Sequence, residues 1–255
     1  MHQTENDLLF AIVIVIVTFL LLVTIAIIVI YKYMKIRAGK EADVLKAVFT
    51  TQETERTRIA EDLHDNIGSK LTAFKLNNQL VEKEVISEQG KNLSESNTKI
   101  VQTIINDIRI IVRNQSSHYI ADYGLIHELE LIQKQFTQLH HINIQINHNL
   151  QERIKNNEFE LSIFRILQEL LNNSIKHANC SEIRIQIHLE SNRLTVSYAD
   201  NGIGLRSNTE KKDGMGLRNI EARIKLFHGL SSVFSEFGKG TNYVITYELN
   251  NIEMQ

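Results

Sequence analysis

The chain of 255 residues lacks proline altogether, has a single cysteine and carries almost no net charge. Without proline, no position is forced to interrupt a helix, so long continuous helices are permitted. The lone Cys180 excludes an internal disulfide, which fits a reducing compartment, and we expect it to be a small buried apolar residue. The net charge of −2 offers no electrostatic basis for nucleic-acid binding, and none is expected.

One hydrophobic run contains no charged residue, and it extends over 24 residues from Leu8 to Tyr31. About 20 apolar residues suffice to cross the bilayer core as a helix, so we predict a transmembrane helix at residues 8–31. Basic residues follow the run at once, at Lys32, Lys35, Arg37 and Lys40. By the positive-inside rule, the C-terminal part then lies in the cytoplasm and residues 1–7 lie outside. The expected location is the inner (cytoplasmic) membrane, crossed once and in contact with membrane lipid.

Two stretches with helical periodicity follow the membrane segment. The first runs from Glu41 to Val85, and its seam has heptad-like spacing at Leu45, Phe49, Gln52, Arg56, Ile59 and Leu63. Residues 32–55 are therefore predicted to form a coiled-coil linker. After a breaker at Ser87 to Asn92, which contains Gly90, the second stripe is Leu93, Asn97, Ile100, Ile104, Ile108 and Ile111. A hairpin of two such helices cannot bury both stripes, so residues 56–117 are expected to form a homodimeric four-helix bundle.

A histidine and an aspartate stand next to each other in the first of these helices. The stretch from Arg56 to Phe74 is RTRIAEDLHDNIGSKLTAF, and its apolar stripe is Ile59, Leu63, Ile67, Leu71 and Phe74. His64 lies beside that stripe and Asp65 lies further towards water. An accessible imidazole beside a carboxylate can act as a nucleophile, with the carboxylate orienting the ring or accepting its proton. The alternative interpretation is an ordinary surface histidine on a coiled-coil helix.

Beyond His118 the pattern changes to alternating strands and short helices. Helices are predicted at Leu125 to Phe136, Glu158 to Ala178 and up to Phe227, and strands at Ile142 to Ile146, Ile183 to Leu189, Leu194 to Tyr198, Val233 to Phe237 and Tyr243 to Leu249. The last two strands form a hairpin across Gly238, Lys239 and Gly240. This order predicts an α+β sandwich over residues 118–250, a mixed sheet with helices on one face, followed by a tail at 251–255.

The helix at 158–178 carries Glu169, Asn173 and His177 at α-helical spacing, so they are predicted to share one face. A carboxylate and an amide oxygen one turn apart can share a hydrated Mg²⁺, and Lys176 adds a positive charge for phosphate. A solvated polar face is the other explanation.

Three glycine-bearing segments follow that helix. Asp200 ends a strand, and Gly202 and Gly204 behind it let backbone approach a flat ring, while the carboxylate can accept from an amine such as that of adenine. The same residues are ordinary in a turn. The segment Gly214 to Leu217, GMGL, opens the predicted helix RNIEARIKLF, and exposed amides at a helix N-terminus attract an anion. The third segment is GKGT, Gly238 to Thr241, which by itself is a hairpin turn.

Taken in order, these segments closely resemble the ATP-binding domain shared by histidine kinases, gyrase-type ATPases and MutL-like proteins. The resemblance implies that Asn173 ligates Mg²⁺, that Asp200 binds adenine with Thr241 nearby, and that Leu205 to Asp213 is a nucleotide lid. Gly214 and Gly216 would contact the phosphates. The full set expected to bind ATP is Glu169, Asn173, Lys176, His177, Asp200, Gly202, Gly204, Gly214, Gly216, Leu217, Gly240 and Thr241.

With that domain present, the segment RIAEDLHD at 58–65 makes the chain similar to two-component sensor histidine kinases with a Leu-His-Asp box, a group that includes the nitrate sensors. The resemblance covers roughly residues 53–250. It implies that His64 accepts the phosphoryl group, that Asp65 is its general base, and that the chain works as a homodimer with a cytoplasmic response regulator.

The chain departs from that group in two places, and two other functions stay open. Ser69 stands where relatives carry a glutamine associated with dephosphorylating the regulator, and no Leu-x-Pro signature precedes the ATP domain near His118 to Tyr123. One alternative is a non-catalytic, nucleotide-gated membrane scaffold. The other is a gyrase-like or MutL-like ATPase in which Glu169 activates water.

Overall fold

A computed structural model describes residues 2–204 and 215–249 of the chain. The chain divides into two compact units, Met1–Phe49 and Thr50–Gln255. The predicted nucleotide lid, Leu205 to Asp213, and Gly214 lie outside the described residues.

The first unit lies within one helix, α1 (His2–Asp62). From Ile16 to Ile36 its large apolar side chains are exposed. It is the one helix, within the described part of the chain, that is long and apolar enough to cross a membrane. The predicted apolar span therefore coincides with continuous helix.

The second unit begins with a helical hairpin. A π-helical turn (Leu63–Gly68) joins α1 to α2 (Ser69–Glu84), and α3 (Glu88–Gln115) runs back along it. The predicted breaker at Ser87 to Asn92 is wrong beyond its first residue, because α3 begins at Glu88. Ser87 caps α3 by accepting a hydrogen bond from the Gly90 amide at 3.2 Å, so Gly90 already lies in the first helical turn.

The two helices of the hairpin are held in register by polar contacts. Lys75 donates to Gln102 at 2.5 Å, and Asn78 donates to Thr98 at 2.9 Å. The face of α3 that is buried against α2 is Ser94, Val101, Ile105 and Val112. Most of the predicted stripe of α3 lies beside that face and is exposed, namely Leu93, Ile100, Ile104 and Ile111. The hairpin therefore has a second apolar face that the described part of the chain does not cover.

The rest of the unit is a five-stranded sheet with helices. In chain order its elements are α4 (His118–Tyr123), α5 (Leu125–His140), β1 (Asn143–His148), α6 (Asn157–Asn173), a second π-helical turn (Ser174–Ala178), β2 (Glu182–Glu190), β3 (Arg193–Asp200), α7 (Met215–Leu226), β4 (Leu230–Glu236) and β5 (Gly240–Glu248). The strand order is β1-β2-β3-β5-β4, with β1 parallel to β2 and the other pairs antiparallel. The predicted mixed sheet is confirmed.

Burial alternates along β2, where Ile183, Ile185 and Ile187 are buried and the residues between them are exposed. One face of the sheet is therefore covered, as half-buried strands require. Phe159 of α6 packs edge-on against Tyr247 of β5, with ring centroids 4.8 Å apart. This packing fixes α6 across the sheet and sets its C-terminal end near the end of β3.

Candidate functional site

His64 lies in the π-helical turn, with its side chain 72% exposed beside the 77% exposed side chain of Asp65. The imidazole Nδ1 is 3.0 Å from Asp65 Oδ1. Regular α-helix was expected here, and single π-helical turns inside α-helices occur frequently at functional sites. The pair predicted from sequence is thus formed, and both side chains are open to solvent.

A groove of about 520 Å³ runs beside this pair, between α2 and α3. It is lined by His64, Asp65, Gly68, Ser69, Thr72, Ala73, Leu76, Ile105, Ile108, Arg109 and Val112. A side chain at Gly68 would meet only the Leu63 carbonyl at 3.9 Å, so the glycine leaves open space one turn after His64. Ser69, at the position where relatives carry glutamine, donates its hydroxyl to the Asp65 carbonyl.

Asp200 is the centre of the second cluster, and it is buried at the end of β3. Its Oδ1 accepts from the amides of Gly202 at 2.9 Å and Thr241 at 3.3 Å, and its Oδ2 accepts from Ser174 Oγ at 3.0 Å. A carboxylate has about four acceptor sites. Partners among the described residues use three of them, which leaves one site on Oδ2 for a donor such as the exocyclic amine of adenine. The cluster therefore fits the predicted role of Asp200.

The glycines around Asp200 are required by the protein's own backbone. A Cβ at Gly202 would overlap the Ala178 carbonyl, and one at Gly240 would overlap the Asp200 carbonyl. Gly204 and Gly240 also have positive φ angles of +65° and +79°, which side chains disfavour. The backbone at these glycines therefore packs against other backbone of the protein, whereas the sequence predicted that a flat ring would approach it.

The predicted magnesium and phosphate residues lie along α6 and the start of α7. Glu169 and Asn173 are half-buried, and the Glu169 carboxylate lies directly against Gly216 in the first turn of α7. Leu217, the next residue, packs against the hydrophobic core. The Glu169 carboxylate therefore lies at the N-terminal end of α7, where the helix dipole favours a negative charge.

The expectation that Glu169, Asn173 and His177 share one face holds only as far as Asn173. The π-helical turn starts at Ser174, so α-helical spacing no longer applies to His177, and both Lys176 and His177 are exposed. Among the described residues, no group of three or more His, Cys, Asp or Glu is placed to hold a metal ion. Mg²⁺ bound by Asn173 together with phosphates and water would need no such group.

Three residues of the cluster were not found from the sequence. Ser174 bonds Asp200 and also Tyr198, with 2.6 Å between the two hydroxyl oxygens. Burial raises the pKa of Tyr198 strongly, so its hydroxyl stays neutral in the fold. Ser235 lies 3.0 Å from the Thr241 hydroxyl and donates to the Gly240 carbonyl. The only signal for Ser174 was its position directly after Asn173.

A buried ion cluster, here called the Glu53 clamp, joins α1 to the sheet domain and consists of Glu53, Arg165 and Arg223. Glu53 carboxylate oxygens are 2.7 Å from Arg165 and 3.0 Å from Arg223. Their side chains are 12%, 2% and 9% exposed, respectively. Arg165 also donates to the carbonyls of Asn114 and Gln115 at the end of α3. Burial lowers the pKa of both arginines, and the Glu53 charge opposes that shift.

The chain matches two protein families. Residues 55–117 match the family described as "Histidine kinase", and residues 158–251 match "Histidine kinase-, DNA gyrase B-, and HSP90-like ATPase". Together the two matches span more than half of the chain, and they contain the His64 pair and the Asp200 cluster.

Individual proteins similar to this chain include an oxygen sensor histidine kinase, NreB, of Staphylococcus carnosus, 26% identical over 81% of this chain and 59% of that protein. Another is the signal transduction histidine-protein kinase/phosphatase DegS of Brevibacillus brevis, 27% identical over 81% of this chain and 54% of that protein. The chain thus spans little more than half the length of these curated relatives. A solved histidine kinase domain from Erythrobacter litoralis is 16% identical with a TM-score of 0.44, covering 71% of this chain and 94% of that one.

Proposed function

This chain belongs to the histidine kinase family, and from that premise we propose that it transfers the γ-phosphoryl group of ATP to His64. The phosphoryl group then passes to an aspartate of a response regulator. The observation that carries the proposal is the pairing, in one chain, of an exposed His64–Asp65 couple with a buried carboxylate that keeps one acceptor site. The first supplies a nucleophile, and the second recognises adenine.

The contact between His64 and Asp65 supports one position for the proton on the imidazole ring. In the neutral ring with hydrogen on Nδ1, that N–H donates to Asp65 at 3.0 Å, which leaves the lone pair on Nε2. Nε2 forms the bond to the γ-phosphorus while the bond from phosphorus to the bridging oxygen breaks and ADP leaves. The ring gains positive charge in this step, and Asp65 stabilises it by holding or accepting the Nδ1 proton. Asp65 therefore acts as general base.

On the nucleotide side, Asp200 orients adenine, and Thr241 is held beside it by the Asp200 carboxylate. The N-terminal turn of α7, from Gly216 to Leu217, binds phosphate oxygens, and Gly214 belongs to the same proposal. Mg²⁺, held by Asn173 with Glu169 nearby, would neutralise phosphate charge. Lys176 and His177 are exposed, and we propose that they contact the phosphates from the edge of the site.

The uncovered apolar faces of the hairpin support a homodimer. Ile67 of the first π-helical turn and Phe74 of α2 are exposed, as are Ile100, Ile104 and Ile111 of α3. A second copy would bury them in a four-helix bundle over residues 56–117, with the linker at 32–55, the span at 8–31 and residues 1–7 outside the cytoplasm. The ATP-binding domain is proposed at 118–250, in the cytoplasm, and the chain at the inner membrane.

The proposal is tested on the full chain in lipid nanodiscs, given Mg²⁺ and γ-labelled ATP. We expect label on the protein that is labile in acid and stable in base, as a phosphoramidate is. His64→Gln is expected to abolish the label while nucleotide binding is unchanged. Steady hydrolysis without labelled protein would instead favour the gyrase-like or MutL-like ATPase. Nucleotide binding with neither hydrolysis nor label would favour the scaffold.

A further inference from the structure

Arg109 of α3 lines the same groove as His64 and Asp65. Its side chain is exposed, and within residues 2–204 and 215–249 it forms no hydrogen bond or ion pair. The neighbouring arginines of this unit are engaged: Arg58 pairs with Asp62 at 2.7 Å, and Arg113 pairs with Glu128 at 2.6 Å. Arg109 therefore stands out as a cation with no partner among the described residues, in a groove that contains the nucleophile.

The register of the hairpin places Arg109 opposite Gly68. Lys75 contacts Gln102. Because the two helices are antiparallel, Gly68, seven residues before Lys75, lies at the same level as Arg109, seven residues after Gln102. Seven residues are close to two helical turns, about 10 Å, so the same faces meet again. Gly68 has no side chain to fill the space, and His64 lies one turn, about 6 Å, further on. An extended arginine side chain spans that distance.

We propose that Arg109 binds the phosphoryl group on His64, both as it arrives and after the N–P bond has formed. A phosphoryl group carries close to two negative charges near neutral pH, and a guanidinium offers it two parallel N–H donors. Among the described residues Arg109 forms no ion pair, so none has to break before its guanidinium contacts the phosphoryl group. The inference rests on the proposed function, because it assumes that His64 carries the phosphoryl group.

The test compares Arg109→Gln and Arg109→Lys with the parent, each as the full chain in nanodiscs. We expect Arg109→Gln to slow the labelling of His64 from ATP by about 10- to 100-fold with ATP affinity unchanged, because one charge-stabilising donor pair is lost. Arg109→Lys is expected to recover part of the rate, since it keeps the charge without the fork. Gln and Lys have helix propensities close to Arg, so both variants keep α3. Lys99→Gln, ten residues away and exposed on the same helix, is the matched control and should stay within twofold of the parent.

A second arm is independent of the kinase reaction. His64 is phosphorylated chemically with phosphoramidate, and the lifetime of the phosphohistidine is followed without nucleotide. We expect a several-fold change in that lifetime in Arg109→Gln and no change in Lys99→Gln. Failure of the proposed function would show as no label from ATP in the parent, while this arm would still report on Arg109. The inference is overturned if Arg109→Gln matches the parent in both arms, or if Arg109→Lys is as slow as Arg109→Gln.

Discussion

Removing the carboxylate of the Glu53 clamp should loosen the sheet domain from the helices. Glu53→Ala would leave Arg165 and Arg223 buried without their counter-charge, although burial already disfavours both charges. Deleting one partner of a buried ion pair typically costs about 3–5 kcal/mol. Arg165 keeps its bonds to the Asn114 and Gln115 carbonyls, so we expect the lower half of that range.

The assay is amide hydrogen exchange on the full chain in nanodiscs, followed in peptides that cover residues 112–118 and 160–170. A cost of about 3 kcal/mol lowers protection against local opening roughly 100-fold, since each 1.4 kcal/mol is a factor of ten. Glu53→Gln keeps an acceptor oxygen but not the charge, and we expect an intermediate loss. The effect should be confined to segments that the clamp joins, with β2 and β3 unchanged.

Glu55→Ala is the matched control for this prediction. Glu55 lies two residues further along α1 and pairs with Arg58 at 2.6 Å, but both side chains are more than half exposed. Exposed pairs contribute little because solvent screens them, so protection should be unchanged. Equal protection in Glu53→Ala and the parent, or an equal loss in Glu55→Ala, would refute the reasoning.

Two further predictions concern the His64–Asp65 pair and the Asp200 cluster, and a third concerns three buried tyrosines. Asp65→Asn should slow labelling of His64 at least tenfold with unchanged ATP affinity, and a rate equal to the parent's in a labelling time course would remove Asp65 from the mechanism. Asp200→Asn should weaken ATP binding about 10- to 100-fold in equilibrium titrations, because a charged acceptor is lost, and unchanged binding would argue against adenine at this position. Burial raises the pKa of Tyr198, Tyr243 and Tyr247 above the unfolded value near 10. The unfolded chain then binds fewer protons at high pH, so stability should fall as pH rises above about 10, and a flat profile in alkaline denaturation would contradict this.

Sequence periodicity was sufficient for most of the fold. The strands at Ile183 to Leu189 and Leu194 to Tyr198 alternate in sequence and alternate in burial, because one face of the sheet packs on helices. The hairpin across Gly238 to Gly240 was also predicted, since it lies between two alternating segments and its turn needs positive φ at both glycines.

Local shifts in helix geometry were not predictable from spacing. Both π-helical turns, Leu63–Gly68 and Ser174–Ala178, lie inside stretches whose sequences fit a regular α-helix. Tertiary contacts, such as the hydrogen bond from Ser174 to Asp200, favour a π-helical turn over an α-helical turn. A pattern of apolar residues contains no information on such contacts. The position of His177 was misjudged for this reason.

The contacts made by charged residues far apart in sequence were missed altogether. Glu53 is 112 residues from Arg165 and 170 from Arg223, and each of the three residues alone fits an exposed helix face. In the fold they are buried because Arg165 of α6 and Arg223 of α7 both contact Glu53 of α1, next to the end of α3. By contrast, Asp200 could be identified because Gly202 and Gly204 follow it within four residues of sequence.

The central claim is that His64 is the residue phosphorylated from ATP. The most direct test is to digest the labelled full chain at neutral to alkaline pH and to locate the phosphoryl group by mass spectrometry. The account predicts phosphate on the peptide that contains His64, absent in His64→Gln and strongly reduced in Asp200→Asn. Phosphate on any other residue, or on the His64→Gln chain to the same extent, would contradict it.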